Sequence, residues 1–126
     1  PKWHGTSLST LSETCFSLTD SFQRPVSIVE TSYAFTLGWN DWTNNHIGSS
    51  SDLHPDFPAT PEGQAELMAD LRAITDSLGT GLVYWGGELV AYKGPEATDG
   101  SPYENQALFN FQGMALPALK TLGQEP

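Results

Sequence analysis

Apolar positions along the chain recur first at helical spacing and then in short continuous runs, and this alternation predicts the secondary structure. The first stripe has steps of three and four residues and consists of Leu8, Leu11, Cys15, Leu18 and Phe22. It predicts a helix over residues 8–22, with Thr6 or Ser7 as the N-cap. Pro25 ends the helix, because proline disfavours helical backbone at the residue before it. The β-branched run that follows predicts a short buried strand over 26–31.

The same order of helix and strand is repeated further along the chain. Thr60, Pro61 and Glu62 are typical of a helix start, as N-cap, first helical residue and first-turn acid. The apolar positions that follow at helical spacing are Leu67, Leu71, Ile74 and Leu78. Gly79 predicts the end of this helix, and the apolar run 81–85 predicts a second buried strand, parallel to the first.

This order of elements predicts α/β units with right-handed connections around a parallel sheet. The apolar run 107–111 offers only a weak third strand, and residues 113–122 predict a short closing helix that contains Pro117. Two parallel strands cannot make a stable sheet alone. We therefore expect a slice of a larger sheet or barrel. The opening at Pro1, without a methionine, likewise leads us to expect a fragment or a processed piece.

Two long segments without clear periodicity, 32–59 and 86–106, follow the predicted strands. Connections of this length usually carry function. In α/β folds the loops that leave strand C-termini form the ligand crevice. Glu30 stands at the end of the first strand, so it is a candidate catalytic carboxylate. A solvated glutamate, or one paired with a nearby cation, is the simpler interpretation.

Charge and composition narrow the class of ligand. Five Lys and Arg against fifteen Asp and Glu give a formal charge of -10, which disfavours nucleic acids and anionic membrane surfaces. No apolar run approaches the ~20 residues of a membrane span. Four Trp, four Tyr and six Phe among few charges favour neutral, hydroxyl-rich ligands such as sugars. Cys15 is the single cysteine, which excludes an internal disulfide, and its place in the stripe predicts burial.

Several acids and histidines of the first loop carry groups that bind metals. They are Asp41, His46, Asp52, His54 and Asp56. Their spacing matches neither a zinc pattern nor an EF-hand loop. Solvated loop residues are the preferred interpretation, and the pattern predicts no metal or other cofactor.

Four stretches of the chain together resemble one enzyme family. They are 26–45 (VSIVETSYAFTLGWNDWTNN), 58–64 (PATPEGQ), 83–85 (VYW) and 103–111 (YENQALFNF). In this order they are similar to glycoside hydrolase family 53, the arabinogalactan endo-β-1,4-galactanases, which are (β/α)8 barrels. The likeness covers almost all of the chain. It implies a partial catalytic domain over 1–126, the C-terminal part of a TIM barrel with strands 7 and 8 and their flanking helices.

The resemblance also implies roles for individual residues. Family members are retaining enzymes with a nucleophilic Glu at the end of strand 7 and an acid/base Glu at the end of strand 4. Glu30 matches the nucleophile, whereas the strand-4 partner lies outside this chain. Trp85 matches a tryptophan that floors the sugar site. The other residues expected to contact substrate are Trp39, Asn40, Asp41, Trp42, Tyr33 and, near the rim after strand 6, His4.

Packing within the loops or the barrel is the alternative for each of these side chains. The chain also departs from the family, because many relatives carry Trp-Glu-Pro-Ala-Trp where residues 85–89 read WGGEL. This change removes an acid and an aromatic ring from the substrate rim and leaves product length open. Some family members bind calcium in the loop after strand 7, but the Asp-rich pattern expected for calcium is not evident here.

The implied function is endo-acting, retaining hydrolysis of β-1,4-galactan, with the polysaccharide and the remaining barrel segment as partners. A secreted or cell-envelope location is expected, because a polymeric galactan cannot enter a cytoplasm intact. Three alternatives stay open: a carbohydrate-binding or scaffold relative without catalysis, an inactive fragment, and an independent small α/β interaction domain. Linkage preference and oligomeric state are not determined by the sequence.

Overall fold

Two successive pairs of helix and strand form the centre of the computed structural model, which describes residues 7–123. Helix α1 spans Leu8–Phe22 and strand β1 spans Ile28–Thr31. Helix α2 spans Pro61–Ser77 and strand β2 spans Leu82–Tyr84. The two strands pair in parallel. The predicted order of elements and the parallel pairing are therefore confirmed.

Local hydrogen bonds place the helix ends close to the predicted positions. The Ser7 hydroxyl accepts a hydrogen bond from the amide of Thr10, and the Thr60 hydroxyl accepts one from the amide of Gly63. Both side chains therefore cap otherwise unpaired amides of the first helical turn. After α2 the backbone turns left-handed at Gly79, with φ of +64°, a conformation that glycine adopts without steric cost.

The strands are shorter and less covered than predicted. Ile28 and Leu82 pack against the core from one face of the sheet. Val29 and Val83 point away from it and are more than half exposed. Among the described residues the predicted burial of the two strands is therefore found on one face of the sheet only, as expected for a slice of a larger sheet or barrel.

The apolar stripe of α1 is likewise only partly covered. Leu8 and Leu11 pack against the core, and Cys15 is buried as predicted. Leu18 and Phe22, at the other end of the stripe, are exposed. Residues 7–123 thus cover only part of a face that the periodicity marks as buried.

The core lies where α2 meets the sheet and a third helix. Helix α3 spans Pro117–Leu122, shorter than the predicted 113–122, with proline at its first position. The buried apolar side chains that form one cluster are Tyr33, Phe57, Leu67, Met68, Leu71, Leu108 and Ala118. Helix α2 thus contacts both the sheet and α3.

The weak third strand predicted over 107–111 does not form. In this segment only an isolated antiparallel bridge between Phe109 and Ala115 occurs among the residues that the structure describes. The chain reverses direction at Gly113, with φ of +75°, and so returns alongside itself instead of extending the sheet.

The two long loops are packed against each other. One includes a single 3-10 turn at Ser50–Asp52, and the other ends in one at Glu104–Gln106. Main-chain hydrogen bonds join the loops from Phe35 N to Asn105 O at 2.8 Å, from Trp42 N to Ala97 O at 2.8 Å and from His46 N to Pro102 O at 2.7 Å. Within residues 7–123 no helix is both long and apolar enough to cross a membrane.

Candidate active site

The carboxyl ends of the two parallel strands meet at one edge of the sheet. The amide of Trp85, just after β2, donates to the carbonyl of Thr31, the last residue of β1, at 2.8 Å. The two strand ends are therefore level. Glu30 and Trp85 lie at this common edge, as parallel strands require of residues at their carboxyl ends.

An irregularity in β1 decides where Glu30 points. Ile28 pairs with Leu82 and Thr31 pairs with Tyr84, so β1 has one more residue than β2 between the pairs. Strict alternation would turn Glu30 to the core side of the sheet with Ile28. The extra residue instead leaves both Val29 and Glu30 exposed. Such bulges re-aim side chains, and here the carboxylate comes to lie at the surface.

Glu30 lines a cleft of about 210 Å³ between the two loops. The other residues of its lining are Ser32, His46, Trp85, Tyr103 and Gln106. The structure thus brings together two residues of the predicted site, Glu30 and Trp85. Ser32, Tyr103 and Gln106 were not singled out from the sequence, and His46 was considered only for a metal.

Three rings of this lining form a contiguous group, which we call the ring cluster: His46, Tyr103 and Trp85. The ring centres of Trp85 and Tyr103 are 4.8 Å apart and their planes meet at 85°. The ring centres of His46 and Tyr103 are 5.6 Å apart at 47°. Tyr103 therefore lies between a side chain of the first loop and the tryptophan that follows β2.

Buried polar residues form the floor beneath the cleft. The Ser32 hydroxyl donates to Oε1 of Gln106 at 2.8 Å, and both residues are almost fully buried. The Tyr84 hydroxyl donates to the Gln106 carbonyl at 2.7 Å and accepts from Nε2 of Gln64 at 3.1 Å. Burial raises the pKa of Tyr84 to about 12.

Tyr33 is a core residue, contrary to the expectation that it contacts substrate. It is only 3% exposed. Its hydroxyl donates to the carbonyl of Phe57 at 2.7 Å and accepts from the amide of His54 at 3.0 Å. Burial raises the pKa of the Tyr33 hydroxyl. The side chain therefore fastens the first loop to the core.

Asp41 is also buried, at 1% exposed, which corrects its expected role in bonding sugar hydroxyls. Its carboxylate accepts hydrogen bonds from the amides of Thr43 at 2.7 Å and Ser101 at 3.3 Å. Ser101 belongs to the second loop. Asp41 therefore holds the two loops together instead of facing ligand.

The other predicted residues of the first loop lie away from the cleft lining. Trp39 and Trp42 are exposed, Trp42 at 63%, and Asn40 is half-buried. These three remain predicted substrate contacts. His4, with Trp3 beside it, lies outside the described residues.

Glu104 is a buried carboxylate that supports the tryptophan-bearing loop. Its Oε1 accepts from the amide of Asn40 at 2.6 Å and from that of Asp41 at 3.3 Å. Its Oε2 is buried without a hydrogen-bond partner among residues 7–123. Burial raises the pKa of Glu104, the two amide donors oppose this rise, and the nearby Asp41 carboxylate adds to it.

A Glu104→Gln variant should gain stability relative to the wild type as the pH rises. Because the folded-state pKa of Glu104 is raised above its ordinary value of 4.5, the stability this group contributes is fully present below that value. That stability is lost as the pH rises through the folded pKa. Glutamine stays neutral and can still accept both amide bonds. Urea unfolding of the complete protein between pH 4 and pH 7 measures the difference.

Glu96→Gln is the matched control, since it removes an exposed carboxylate from the same loop. It reports the general effect of lowering the negative charge. If the difference in unfolding free energy between Glu104→Gln and the wild type stayed constant with pH, Glu104 would not be the titrating group.

The described residues offer no ready metal centre. No group of three or more His, Cys, Asp or Glu that could hold a metal ion occurs within residues 7–123. Of the residues considered for a metal, Asp41 bonds loop amides and His54 packs its ring 5.1 Å from that of Phe57. Both therefore have structural contacts of their own.

Comparison with known proteins identifies the family. The sequence profile described as Glycosyl hydrolase family 53 matches residues 1–122. This chain belongs to glycosyl hydrolase family 53. The predicted family membership is therefore confirmed.

The curated relatives are about three times as long as this chain. An arabinogalactan endo-β-1,4-galactanase of Cellvibrio japonicus is 34% identical over 122 residues, which cover 94% of this chain and 32% of that protein. An endo-β-1,4-galactanase of Bacillus subtilis is 28% identical over 154 residues, covering 95% of this chain and 35% of that protein. The chain thus spans about a third of the length of the curated relatives it matches.

A solved family 53 structure shares the fold. The GH53 catalytic domain of Ignisphaera aggregans matches with a TM-score of 0.83 and 34% sequence identity, over 96% of this chain and 35% of that domain. The fold class is therefore confirmed as α/β, part of the TIM barrel of a family 53 catalytic domain. Its numbering as strands 7 and 8 rests on the sequence resemblance.

Proposed function

We propose that this chain is part of the catalytic domain of an endo-acting β-1,4-galactanase and that Glu30 is its nucleophile. One observation carries the proposal. Glu30 and Trp85 lie level at the carboxyl ends of adjacent parallel strands and line the same cleft, in a member of a glycosyl hydrolase family. In TIM barrels the active site lies at the end of the barrel that the carboxyl ends of the strands form.

The proposed reaction is a double displacement with net retention. The Glu30 carboxylate attacks the anomeric carbon while the glycosidic bond breaks, and a second carboxylic acid gives its proton to the departing oxygen. The galactosyl unit is then an ester of Glu30. Water attacks the same carbon, gives its proton to the second carboxylate and releases both the sugar and Glu30.

The second carboxyl belongs to another part of the barrel. A retaining pair must stand about 5 to 5.5 Å apart. Glu30 is the one acid in the cleft lining formed by the described residues. Glu104 does not replace the missing partner, because its carboxylate is buried and holds loop amides. We therefore propose that the acid/base is the strand-4 Glu implied by the resemblance.

The aromatic side chains suit a galactan chain. Trp85 is 39% exposed beside Glu30, so it can offer an apolar face to the C-H groups of the sugar that Glu30 attacks. The exposed Trp39 and Trp42, with Asn40 between them in sequence, extend the binding surface to further sugar units. The galactanase names of the relatives support β-1,4-galactan as the substrate.

The remaining barrel segment is the proposed structural partner. Val29 and Val83 leave an apolar face of the sheet exposed, and further barrel strands would enclose it. We propose that residues 1–126 contribute to one catalytic domain and are inactive without the rest of it. Because galactan is a polymer, the working location is outside the cytoplasm.

The test is to incubate the complete protein, in which this chain is joined to the rest of the barrel, with linear β-1,4-galactan. We expect oligosaccharides as early products, and proton NMR should show their new reducing ends first as the β-anomer. First appearance of the α-anomer would contradict the double displacement. Galactan binding without any cleavage would favour the carbohydrate-binding alternative.

A further inference from the structure

The Trp85 indole packs against the ring cluster. It directly follows β2 and is 39% exposed, so burial alone does not determine its orientation. Gly86 and Gly87 follow it and contribute no side chain against the indole. The cluster supplies one ring contact to it, the perpendicular packing against Tyr103 with ring centres 4.8 Å apart. Edge-to-face packing of this kind is a favoured geometry for two aromatic rings.

Tyr103, in contrast, is anchored on both sides along the chain. The preceding carbonyl, that of Pro102, accepts a hydrogen bond from His46 N at 2.7 Å. The carbonyl of Tyr103 itself accepts from Gln106 N at 2.9 Å, in the 3-10 turn that follows. The His46 ring then contacts the Tyr103 ring from the first loop. The backbone on both sides of Tyr103 and its ring are therefore held in place. The ring can thus orient the partly exposed Trp85 that packs against it.

We propose that Tyr103 is a positioning residue, which sets the plane of the Trp85 indole for sugar binding, and that His46 supports Tyr103 from the neighbouring loop. This inference rests on the proposed function. A sugar stacked on Trp85 takes its orientation from the indole plane. That orientation decides whether the anomeric carbon lies in line with the Glu30 carboxylate. Small errors in such placement lower the rate strongly, because catalysis depends on aligned reacting atoms.

The test is a double-mutant cycle in the complete protein, with Tyr103→Ala, Trp85→Ala and the double variant assayed on linear β-1,4-galactan. Tyr103→Ala should lower kcat/KM about tenfold, as expected for a lost aromatic pair. If Tyr103 acts through Trp85, the double variant should be no worse than Trp85→Ala alone. Losses that multiply would show that Tyr103 acts independently and would overturn the proposal.

Two further variants sharpen the test. Tyr103→Phe keeps the ring and should lose clearly less than Tyr103→Ala, whereas an equal loss would assign the role to the hydroxyl and contradict the proposal. Tyr92→Ala is the matched control, because Tyr92 is 69% exposed on the same loop and lies outside the cleft lining. Its kcat/KM should equal that of the wild type.

The outcomes also separate this inference from the proposed function. If the wild type did not cleave galactan, the proposed function would fail before the cycle began. If the wild type cleaved galactan but Trp85→Ala had full kcat/KM, the function would stand and the positioning role would be overturned. Urea unfolding of each variant shows whether a loss of activity reflects a loss of fold.

Discussion

Replacing Glu30 with glutamine should abolish galactan hydrolysis, with kcat of the complete protein falling on the order of a thousandfold or more. Glutamine has nearly the same shape, but its neutral amide is a poor nucleophile and cannot form the glycosyl ester. Because Glu30 is exposed at the strand end, the fold should tolerate the change. Reducing-end assays give the rate, and circular dichroism with urea unfolding verifies the fold.

A matched control separates catalysis from charge. Glu66→Gln removes one exposed carboxylate from α2, on an element that does not line the cleft, and should keep the wild-type rate. Full activity in Glu30→Gln would refute the assignment of the nucleophile. The same loss in both variants would point instead to a general effect of charge.

Azide distinguishes a nucleophile from an acid/base residue. In Glu30→Ala the small anion can occupy the vacated space and attack the anomeric carbon of an aryl β-galactoside as the phenolate leaves. One displacement then gives the α-galactosyl azide. A β-galactosyl azide would instead assign Glu30 to the acid/base position, because azide would have attacked a galactosyl ester formed elsewhere.

Replacing Gln64 with leucine should destabilise the complete protein by about 2 to 4 kcal/mol, the largest stability effect that we expect. Gln64 is fully buried on α2. Its Nε2 donates to the carbonyls of Tyr33 at 2.8 Å and Ala107 at 3.1 Å. Leucine fills a similar volume but cannot donate a hydrogen bond. The Ala107 carbonyl then loses this donor, and the Tyr33 carbonyl keeps only the Tyr84 hydroxyl at 3.2 Å. Each unsatisfied buried polar group costs about 1 to 3 kcal/mol. Urea unfolding with linear extrapolation measures the loss.

The effect should extend to the proposed active site. Gln64 also contacts the Tyr84 hydroxyl, which in turn bonds the backbone of Gln106 in the cleft lining. We therefore expect activity to fall at temperatures at which the variant is still folded. The control is Gln112→Leu, an exposed glutamine, whose stability should change by less than about 0.5 kcal/mol. Equal stabilities for the two variants would show that the buried amide contributes nothing.

The sequence by itself determined the helices, the order of elements and the family. Helix ends depend on groups a few residues apart, such as the Ser7 cap on Thr10 and the Thr60 cap on Gly63, so a local pattern is sufficient to locate them. The parallel pairing followed from the helix between the two strands. The strand-end position of Glu30 was also visible in the sequence.

Only the tertiary structure decided which side chains face the cleft. Tyr33 and Asp41 were expected from the sequence to contact ligand, yet both are buried. Tyr33 bonds Phe57, 24 positions away, and Asp41 bonds Ser101, 60 positions away. Tyr103 lines the cleft because the two loops pack together. The spacing of apolar residues in the sequence does not reveal that packing. Glu30 reached the surface through one extra residue in the strand pairing. Burial and register depend on contacts distant in sequence, and such contacts exist only once the chain has folded.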